Sequence, residues 1–315
     1  MPEAPTTAPL SRRRFLLGAG AVGAGSLVAA ACGRNGDPGV TAGPGAATGR
    51  QPAVPAVLRF GVGPLLPTAT DTKAAWEPFF AWLASQLATR AEVAAVDSWG
   101  GISVALGSDQ LDVAWMGPFG YVLANARSGA EAIATAKYDG RPVYHAIVVG
   151  RPGLEVNAWP EGAKGRSISF TEVSSTSGWL VPTFWLTGRG IDPKEFFRYS
   201  EGASHAANEL AVASGQVDLA TDFDRNRNAM IESGRLGAGA TKVVWTSDPL
   251  PNDAIGVRKG LDPALAARIR DLLVALTPEQ AATVLPRHYD GFVAADNESY
   301  KPIRDAAIAL DLLKN

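Results

Sequence analysis

The sequence predicts an α/β protein built from two lobes of similar topology. Three observations support this prediction: strand-like and helix-like patterns alternate from residue 57 onwards, two separate segments resemble each other, and two apolar strand-like segments bracket the middle third of the chain. Alternation of short apolar runs with amphipathic helices is typical of parallel α/β architecture.

The individual elements follow from the spacing of apolar residues. Short apolar runs predict strands, and large apolar side chains that recur every three or four residues predict helices. Proline is tolerated at the first position of a helix, so a Gly-Pro pair marks one of the helix starts. In chain order, we expect a strand at 58–62, a helix at 72–89, a strand at 91–96, a helix at 102–106, a strand at 111–115, a helix from Gly117-Pro118 and a strand at 166–173.

Two segments, 105–114 and 211–220, share the same order of features: the end of a helix, a polar turn and a buried strand. Helix-turn-strand units are common, so this similarity alone leaves open whether it arises from a repeated lobe. A repeated lobe would place the ends of equivalent strands around one cleft, where open α/β sheets bind ligands.

The middle third of the chain lies between apolar segments at 144–149 and 254–258, which we expect to cross between the lobes. Lobe 1 is then predicted to comprise residues 57–145 and 251–315. Lobe 2 is predicted to comprise residues 146–250.

The N-terminal residues resemble an export signal. Residues 11–17 contain a twin-arginine pattern, and an apolar segment rich in Gly and Ala leads to Cys32, the only cysteine. Residues 1–31 therefore resemble a twin-arginine lipoprotein signal peptide, in which a signal peptidase cuts on the N-terminal side of Cys32 and a lipid is attached to that cysteine; plain secretion is the alternative. Residues 32–56 contain few large apolar residues, which predicts a disordered tether.

Composition excludes several classes of partner. The chain of 315 residues has a net charge of −2 and no run of basic residues, which argues against binding to nucleic acid. No group of His, Cys, Asp or Glu has the spacing of a metal site, so we expect neither a metal nor a cofactor. An anionic ligand would have to be held by local dipoles and hydrogen bonds rather than by overall charge.

A run of hydroxyl side chains is the strongest candidate for a binding site. Ser175, Thr176 and Ser177 follow the strand at 166–173 and open a predicted helix. The first N–H groups of a helix lack partners within the helix, and together with hydroxyl groups they attract negatively charged oxygen. The alternative is an ordinary helix N-cap, which needs only one such residue.

This run belongs to a set of motifs that resemble a known family. The motifs lie at 112–117, 175–182, 202–208, 210–213 with 216–218, and 251–253. With them the chain resembles the phosphonate-, phosphite- and phosphate-binding proteins of ABC importers, which are type II periplasmic-type solute receptors. The resemblance covers nearly all of 57–315 and implies a two-lobed periplasmic-binding-protein fold with a two-strand hinge and a ligand cleft between the lobes.

The resemblance also implies a function. The protein would be a monomeric lipoprotein at the outer face of the cytoplasmic membrane that captures phosphite, a phosphonate or phosphate and delivers it to the permease and ATPase of an importer. Two alternatives remain open. One is an enzyme on the same fold that uses His205 and Ser175, with Asp253 as the third residue type of a hydrolase triad, and the other is a ligand-reading subunit of a sensor system.

Particular residues receive roles by the same resemblance. Hydroxyl and N–H groups of residues 175–177 would bind the oxyanion, and His205 would donate a ring N–H to it. Asp253 would accept a hydrogen bond from a protonated ligand oxygen or from an amine. The predicted ligand-binding residues are Trp99, Ser175, Thr176, Ser177, His205 and Asp253.

Three residues depart from the family pattern. Trp99 and Met116 stand where tyrosines are usual; the indole N–H of Trp99 preserves a donor, whereas Met116 offers none. Arg225 stands where binders of aminophosphonates have a glutamate, which disfavours a ligand with an amine. We expect Arg225 either to meet an additional negative group or to pair with neighbouring Asp222 or Asp224.

Overall fold

In the computed structural model, which describes residues 52–66 and 68–314, strands and helices alternate along the chain. The strands are β1 (Val57–Val62), β2 (Arg90–Ala95), β3 (Val113–Met116), β4 (Glu131–Tyr138), β5 (Val143–Tyr144), β6 (Ala146–Gly150), β7 (Ser167–Thr171), β8 (Arg198–Ala203), β9 (Leu219–Phe223), β10 (Lys242–Thr246), β11 (Leu250–Pro251), β12 (Ala254–Val257) and β13 (Tyr289–Ala294). The helices are α1 (Ala69–Gln86), α2 (Trp99–Gly107), α3 (Pro118–Ser128), α4 (Val181–Thr187), α5 (Pro193–Phe196), α6 (His205–Ala213), α7 (Asp224–Glu232), α8 (Pro263–Val274), α9 (Pro278–Val284) and α10 (Lys301–Ala309). Shorter turns are 3₁₀-helical at Glu161–Ala163 and Glu298–Tyr300 and π-helical at Thr176–Leu180.

Two large sheets form the centres of the two lobes. Lobe 1 contains a six-stranded sheet in the order β13-β4-β12-β3-β1-β2, and lobe 2 contains a five-stranded sheet in the order β10-β6-β9-β7-β8. In lobe 1, β1 is parallel to β2 and β3, and β12 is antiparallel to β3. In lobe 2, β7 is parallel to β8 and β9, and β6 is antiparallel to β9. The same four-stranded arrangement therefore occurs twice, which confirms the similar topology expected from segments 105–114 and 211–220.

The sheets are mixed, whereas the alternation of elements suggested parallel sheets. Both β6 and β12 run antiparallel to their neighbours. Each of these strands begins just after the chain has passed from one lobe to the other. It therefore enters its sheet without the helical crossover that joins parallel strands.

The hinge is a separate two-stranded sheet. Strands β5 and β11 pair antiparallel, with Tyr144 opposite Leu250 and Val143 opposite Pro251. The crossings expected at 144–149 and 254–258 are thus shifted, because most of these residues lie inside the large sheets as β6 and β12. Their apolar character reflects burial in a sheet rather than a position between the lobes.

A buried carboxylate joins neighbouring parallel strands in each lobe. Asp112, just before β3, accepts a hydrogen bond of 2.9 Å from the backbone N–H of Arg59 in β1, and further bonds from the guanidinium groups of Arg59 and Arg258. Asp218, just before β9, accepts hydrogen bonds of 3.0 and 2.9 Å from the backbone N–H and hydroxyl of Ser167 in β7. The two segments that look alike in sequence therefore perform the same structural task.

Apolar clusters fill each lobe and the region between them. The largest cluster packs β1 and β3 against α1 and α8 in lobe 1. A second cluster includes Ile102 and Leu106 of α2 together with Leu180 and Val181 of lobe 2. A third cluster lies within lobe 2 around β6, β7 and β9. The second cluster fixes the hydroxyl run close to lobe 1.

Helix boundaries depend on caps that periodicity does not reveal. The helix predicted at 72–89 spans Ala69–Gln86, because the Thr68 side chain accepts a hydrogen bond from the N–H of Asp71 and begins the helix earlier. The helix predicted after residue 173 starts instead as the π-helical turn Thr176–Leu180 and continues as α4.

Among the residues that the structure describes, no helix is long and apolar enough to cross a membrane. The predicted signal peptide, Cys32 and the predicted tether up to residue 51 lie outside the described residues.

We expect Asp112→Asn to lower the free energy of unfolding by about 2 kcal/mol at pH 7. Burial alone would raise the pKa of Asp112, but hydrogen bonds from Arg59 and Arg258 outweigh it and lower the pKa from 3.8 to about 2. A lowered pKa stabilises the fold above the ordinary value of 3.8, and this contribution is lost as the pH falls towards 2. The difference between variant and wild type in urea titrations should therefore shrink between pH 5 and pH 2.5, and a difference that stays constant would contradict the assignment. Asp271→Asn, at an exposed carboxylate, is the matched control.

Candidate functional site

All six predicted ligand-binding residues line one small cavity between the lobes, with a volume of about 20 Å³. Trp99 and Asp253 approach it from lobe 1, and the hydroxyl run and His205 approach it from lobe 2. The remaining residues of its wall are Leu65, Gly117, Tyr144, Phe223 and Arg225.

The hydroxyl run lies between β7 and α4, and its first two oxygens already accept hydrogen bonds. Ser175 caps the π-helical turn, since its Oγ accepts from the N–H of Gly178 at 3.2 Å. The Oγ1 of Thr176 accepts from the N–H of Phe119 in lobe 1 at 2.8 Å. An oxygen that accepts one hydrogen bond still has its own O–H to donate. The run therefore offers donors to the cavity.

Tyr144 is a further hydroxyl donor in this wall. Its side chain is buried, and it lines the same small cavity as Thr176 and Ser177. Burial raises the pKa of Tyr144, so the phenol keeps its proton. Sequence analysis missed this role because Tyr144 lies in a segment that was interpreted as a crossing strand; no spacing signal distinguishes it from core residues.

His205 connects the hydroxyl run to a carboxylate behind it. Its Nε2 lies 3.1 Å from the Oγ of Ser175, and its Nδ1 lies 3.0 Å from Oδ1 of Asp222. Burial lowers the pKa of His205 to about 4, so the ring is neutral at pH 7 and carries one N–H. The carboxylate partner of His205 is thus Asp222, and the triad suggested from Ser175, His205 and Asp253 is wrong because Asp253 lies elsewhere in the wall.

Asp222 belongs to a buried pair of carboxyl groups. Asp222 and Glu209 of α6 are both fully buried and share a hydrogen bond. Two carboxyl groups can share a hydrogen bond only if one of them holds a proton, and burial raises the pKa of each. The amide of Asn226 also donates to both oxygens of Asp222, at 3.0 and 2.9 Å. The pair therefore holds a proton next to the ring of His205.

Asp253 and Arg225 form the oppositely charged part of the wall. Oδ2 of Asp253 accepts a hydrogen bond of 3.2 Å from the indole N–H of Trp115 and lies 3.7 Å from Nη2 of Arg225. The pairing of Arg225 with Asp222 or Asp224 is not observed. Asp224 instead accepts from the backbone N–H of Arg225 and lies beside His145, since side chains that are adjacent in sequence leave a helix start in different directions.

Trp99 is held at the cavity by its position at the start of α2. A Cβ added to Gly63 would lie 2.6 Å from the Trp99 ring, and one added to Gly117 would lie 3.3 Å from it. These two glycines therefore leave the space that the indole occupies. Met116 is fully buried in the core and does not line the cavity, in agreement with its lack of a donor.

Polar contacts join the two lobes around this cavity. The carboxylate of Glu172 in lobe 2 accepts from the backbone N–H of Trp99 at 2.5 Å, in addition to the contact between Thr176 and Phe119 described above. Further out, Nε2 of His288 in lobe 1 lies 3.0 Å from Oε2 of Glu232 in lobe 2.

Within the described part of the chain, no group of three or more His, Cys, Asp or Glu side chains is placed to hold a metal ion. What the wall does offer is a set of O–H and N–H donors, one buried guanidinium and one buried carboxylate. Such a set suits a small anion that also carries a proton.

Comparison with known sequences identifies a family. A family profile described as "ABC transporter, phosphonate, periplasmic substrate-binding protein" matches residues 64–300. The chain is 28% identical over 244 residues to the phosphonates-binding periplasmic protein of Escherichia coli, which covers 76% of this chain and 72% of that protein. It is 27% identical over 241 residues to the phosphate-import protein PhnD of Mycolicibacterium smegmatis, which covers 72% of this chain and 73% of that protein.

Solved structures share the fold. A binding protein component of an ABC phosphonate transporter from Pseudomonas aeruginosa has a TM-score of 0.70 and 25% identity, over 82% of this chain and 86% of that one. PhnD1 from Prochlorococcus marinus, solved in complex with methylphosphonate, has a TM-score of 0.72 and 19% identity, over 82% of this chain and 99% of that one.

We expect Gly178→Ala to destabilise the protein by roughly 1–3 kcal/mol, because the added methyl group overpacks the turn below the hydroxyl run. A Cβ at this position would lie 2.0 Å from Oγ1 and 2.8 Å from Cβ of Thr171, which belongs to β7 and has little freedom to move. Thermal and urea unfolding measure the effect. Gly153→Ala is the control, because a Cβ there meets nothing within 4 Å. Equal stabilities for the two variants would show that the turn is not tightly packed.

Proposed function

The chain belongs to the family of periplasmic substrate-binding proteins of phosphonate ABC transporters, and on that premise we propose that it captures phosphite, a simple phosphonate or phosphate. Proteins of this family are exported, bind a small ligand and work with a permease and an ATPase; they are transport components rather than enzymes. We further propose that the protein is a monomer, that it binds its ligand between the lobes and that it delivers this ligand to an importer.

One observation carries the choice of ligand: donors from distant parts of the chain converge on one cavity that also holds a carboxylate. Hydroxyl and N–H donors bind the ionised oxygens of a tetrahedral anion. The carboxylate of Asp253 would repel a fully ionised anion, but it accepts a hydrogen bond from an anion that retains an O–H. Phosphite, phosphonates and phosphate all have such a singly protonated form.

We assign individual contacts as follows. The hydroxyl groups of Ser175, Thr176 and Ser177 donate to the oxyanion, and the ring of Trp99 closes the cavity from lobe 1. His205 donates through Nε2, which requires its single proton to be on that nitrogen. This tautomer requires a proton on Asp222, which is donated to Nδ1, in addition to the proton that Glu209 donates to Asp222; burial favours both protons, since it raises the pKa of Asp222 to about 7 and that of Glu209 to about 8.

Binding is coupled to closure in this proposal. The ligand touches both lobes, so it stabilises the arrangement in which Glu172 and Thr176 accept hydrogen bonds from the helix starts of lobe 1. The permease then recognises the closed form. We take lobe 1 as residues 57–145 and 251–315 and lobe 2 as residues 146–250.

We also propose that the protein is anchored to the membrane by a lipid. Residues 1–31 direct export through the twin-arginine route, a lipid is attached to Cys32, and residues 32–56 tether the folded lobes to the outer face of the cytoplasmic membrane. The support for this is the sequence pattern alone.

Ser177→Ala and His205→Ala should each weaken the binding of phosphite or methylphosphonate by more than roughly tenfold, since each removes a hydrogen bond to a charged oxygen. Isothermal titration calorimetry with phosphite, phosphate, methylphosphonate and sulfate measures this and ranks the ligands. Ser214→Ala, at an exposed serine after α6, is the matched control. Unchanged affinity in both cavity variants would remove the basis for this site, and conversion of a ligand into product would show that the protein is an enzyme.

Cys32→Ser should release the protein from the membrane fraction of the native host, because the anchor lacks its attachment point. Fractionation and mass spectrometry of the mature N-terminus check this. Retention of the variant in the membrane fraction, or an unmodified Cys32 in the wild type, would contradict lipid attachment and favour plain secretion.

A further inference from the structure

A histidine that does not line the oxyanion cavity bridges two carboxylates across the cleft. The ring of His288, which follows α9 in lobe 1, has Nδ1 2.9 Å from Oδ1 of Asp139 and Nε2 3.0 Å from Oε2 of Glu232. Asp139 follows β4 in lobe 1, whereas Glu232 is the last residue of α7 in lobe 2. The two ring nitrogens therefore contact different lobes.

This arrangement requires a proton on both ring nitrogens of His288. A carboxylate only accepts hydrogen bonds, and a neutral imidazole has one N–H and one unshared electron pair. A neutral ring would therefore direct that electron pair at a carboxylate oxygen. The hydrogen bond with Asp139, together with that to Glu232, outweighs the effect of burial and raises the pKa of His288 above its ordinary value of 6.5.

Contacts within lobe 1 fix the position of the ring. The backbone of His288 is left-handed, with a φ of 74°, and its carbonyl accepts a hydrogen bond of 2.9 Å from the N–H of Asp139. The ring stacks on that of Tyr138, with the ring centres 5.2 Å apart and the planes at 21°. Because these contacts lie in lobe 1, a movement of lobe 2 away from lobe 1 removes only the contact with Glu232.

Other ionisable groups of the described chain surround His288 without changing their charge near neutral pH. Those that line the same space between the lobes are Arg225, Arg235, Arg287, Tyr138 and Tyr289. Arginine side chains stay charged throughout this range, and burial raises the pKa of both tyrosines, so that they stay neutral. Asp290 accepts a hydrogen bond from the N–H of Gly140 in the turn beside Asp139. Near neutral pH, the group that titrates here is His288.

The protonation of His288 is thus linked to closure of the cleft. In the closed arrangement Glu232 adds to the effect of Asp139, so the pKa of the ring is higher than after lobe 2 has moved away. The resulting stabilisation of the closed arrangement is complete below the pKa of the open one and is lost as the pH rises through the pKa of the closed one. Nη1 of Arg287 also lies 3.6 Å from Oε2 of Glu232, so the contact between the lobes weakens at high pH without disappearing.

We propose that His288 and Glu232 form a pH-sensitive latch, which holds the two lobes together while the ring of His288 carries both protons. This inference rests on the proposed function only in taking ligand binding to close the cleft. Acidification then tightens ligand binding independently of the protonation of the ligand itself. The side chains of His288 and Glu232 are 19% and 44% exposed, so water weakens their interaction, and we expect an effect on affinity of about two- to fivefold.

The first measurement follows the ring itself by NMR titration of the full folded chain. The chain has three histidines, and the signal of His288 is identified by its loss in His288→Asn, since asparagine also tolerates a left-handed backbone. Saturation with whichever of methylphosphonate, phosphite and phosphate binds should raise the pKa of His288. Glu232→Gln should remove most of this rise. Asp139→Asn should lower the pKa in the free and the ligand-bound protein alike and preserve the rise, because Asp139 stays beside the ring in both.

The second measurement is the affinity of the same anion by calorimetry at two pH values. Comparison of wild type with variant at each pH cancels the ionisation of the ligand and of the cavity. Wild type should bind about two- to fivefold more tightly than His288→Asn at pH 6, and this ratio should fall towards one at pH 8.5. Glu298→Gln is the matched control, because it removes an exposed carboxylate whose partner, Arg304, lies in the same lobe; its ratio should stay near one at both pH values.

Every result either supports or overturns the latch. An equal pKa of His288 with and without ligand, or an affinity ratio that does not change with pH, overturns it while leaving the proposed function in place. A rise in pKa that is undiminished in Glu232→Gln comes from the bound anion and also overturns it. Absence of binding to all three anions overturns the proposed function and this inference together. If His288→Asn fails to fold, as circular dichroism would reveal, Glu232→Gln supplies the same comparison of affinities.

Discussion

Helices α2 and α3 of lobe 1 need acceptors for their first N–H groups, and each finds one in lobe 2. Glu172 accepts from Trp99 at the start of α2, and Thr176 accepts from Phe119 at the start of α3. An unpaired helix end is costly once it is buried, so these two bonds favour one relative placement of the lobes. That placement brings the hydroxyl run opposite Trp99, and the cavity exists because of it.

The two lobes repeat one plan, and the repetition explains how the cavity acquires its walls. Asp112 and Asp218 fix equivalent strands, β3 and β9, next to their parallel neighbours. Each of these strands then ends at the cleft: Gly117 follows β3, Phe223 ends β9, and both line the cavity. Ligand sites at the carboxyl ends of strands are general in open α/β sheets. Here two such sheet edges face each other across the cavity. Different side chains at equivalent positions of the two lobes form its wall.

Much of this organisation was predictable from sequence, and the parts that were not share a physical cause. The hydroxyl run and Trp99 stand next to predicted strand ends and helix starts, so local pattern placed them at an edge, whereas His205 was identified by its motif at 202–208. The acceptor for His205 and the environment of Arg225 depend on side-chain direction after the chain has folded. Asp222 was considered as a partner for Arg225 and instead bonds to His205. Periodicity likewise does not show which strand crosses between lobes, since buried and crossing strands are equally apolar.

The contact between Trp115 and Asp253 joins the cavity to the centre of lobe 1. The indole of Trp115 is completely buried and packs edge-on against Trp76 and Phe79, while its N–H reaches the carboxylate in the cavity wall. Whatever alters the charge or hydrogen bonding of that carboxylate also alters the electric field at a rigidly held fluorophore. Trp115, one of eight tryptophans in the chain, is therefore an intrinsic fluorophore in direct contact with the cavity wall.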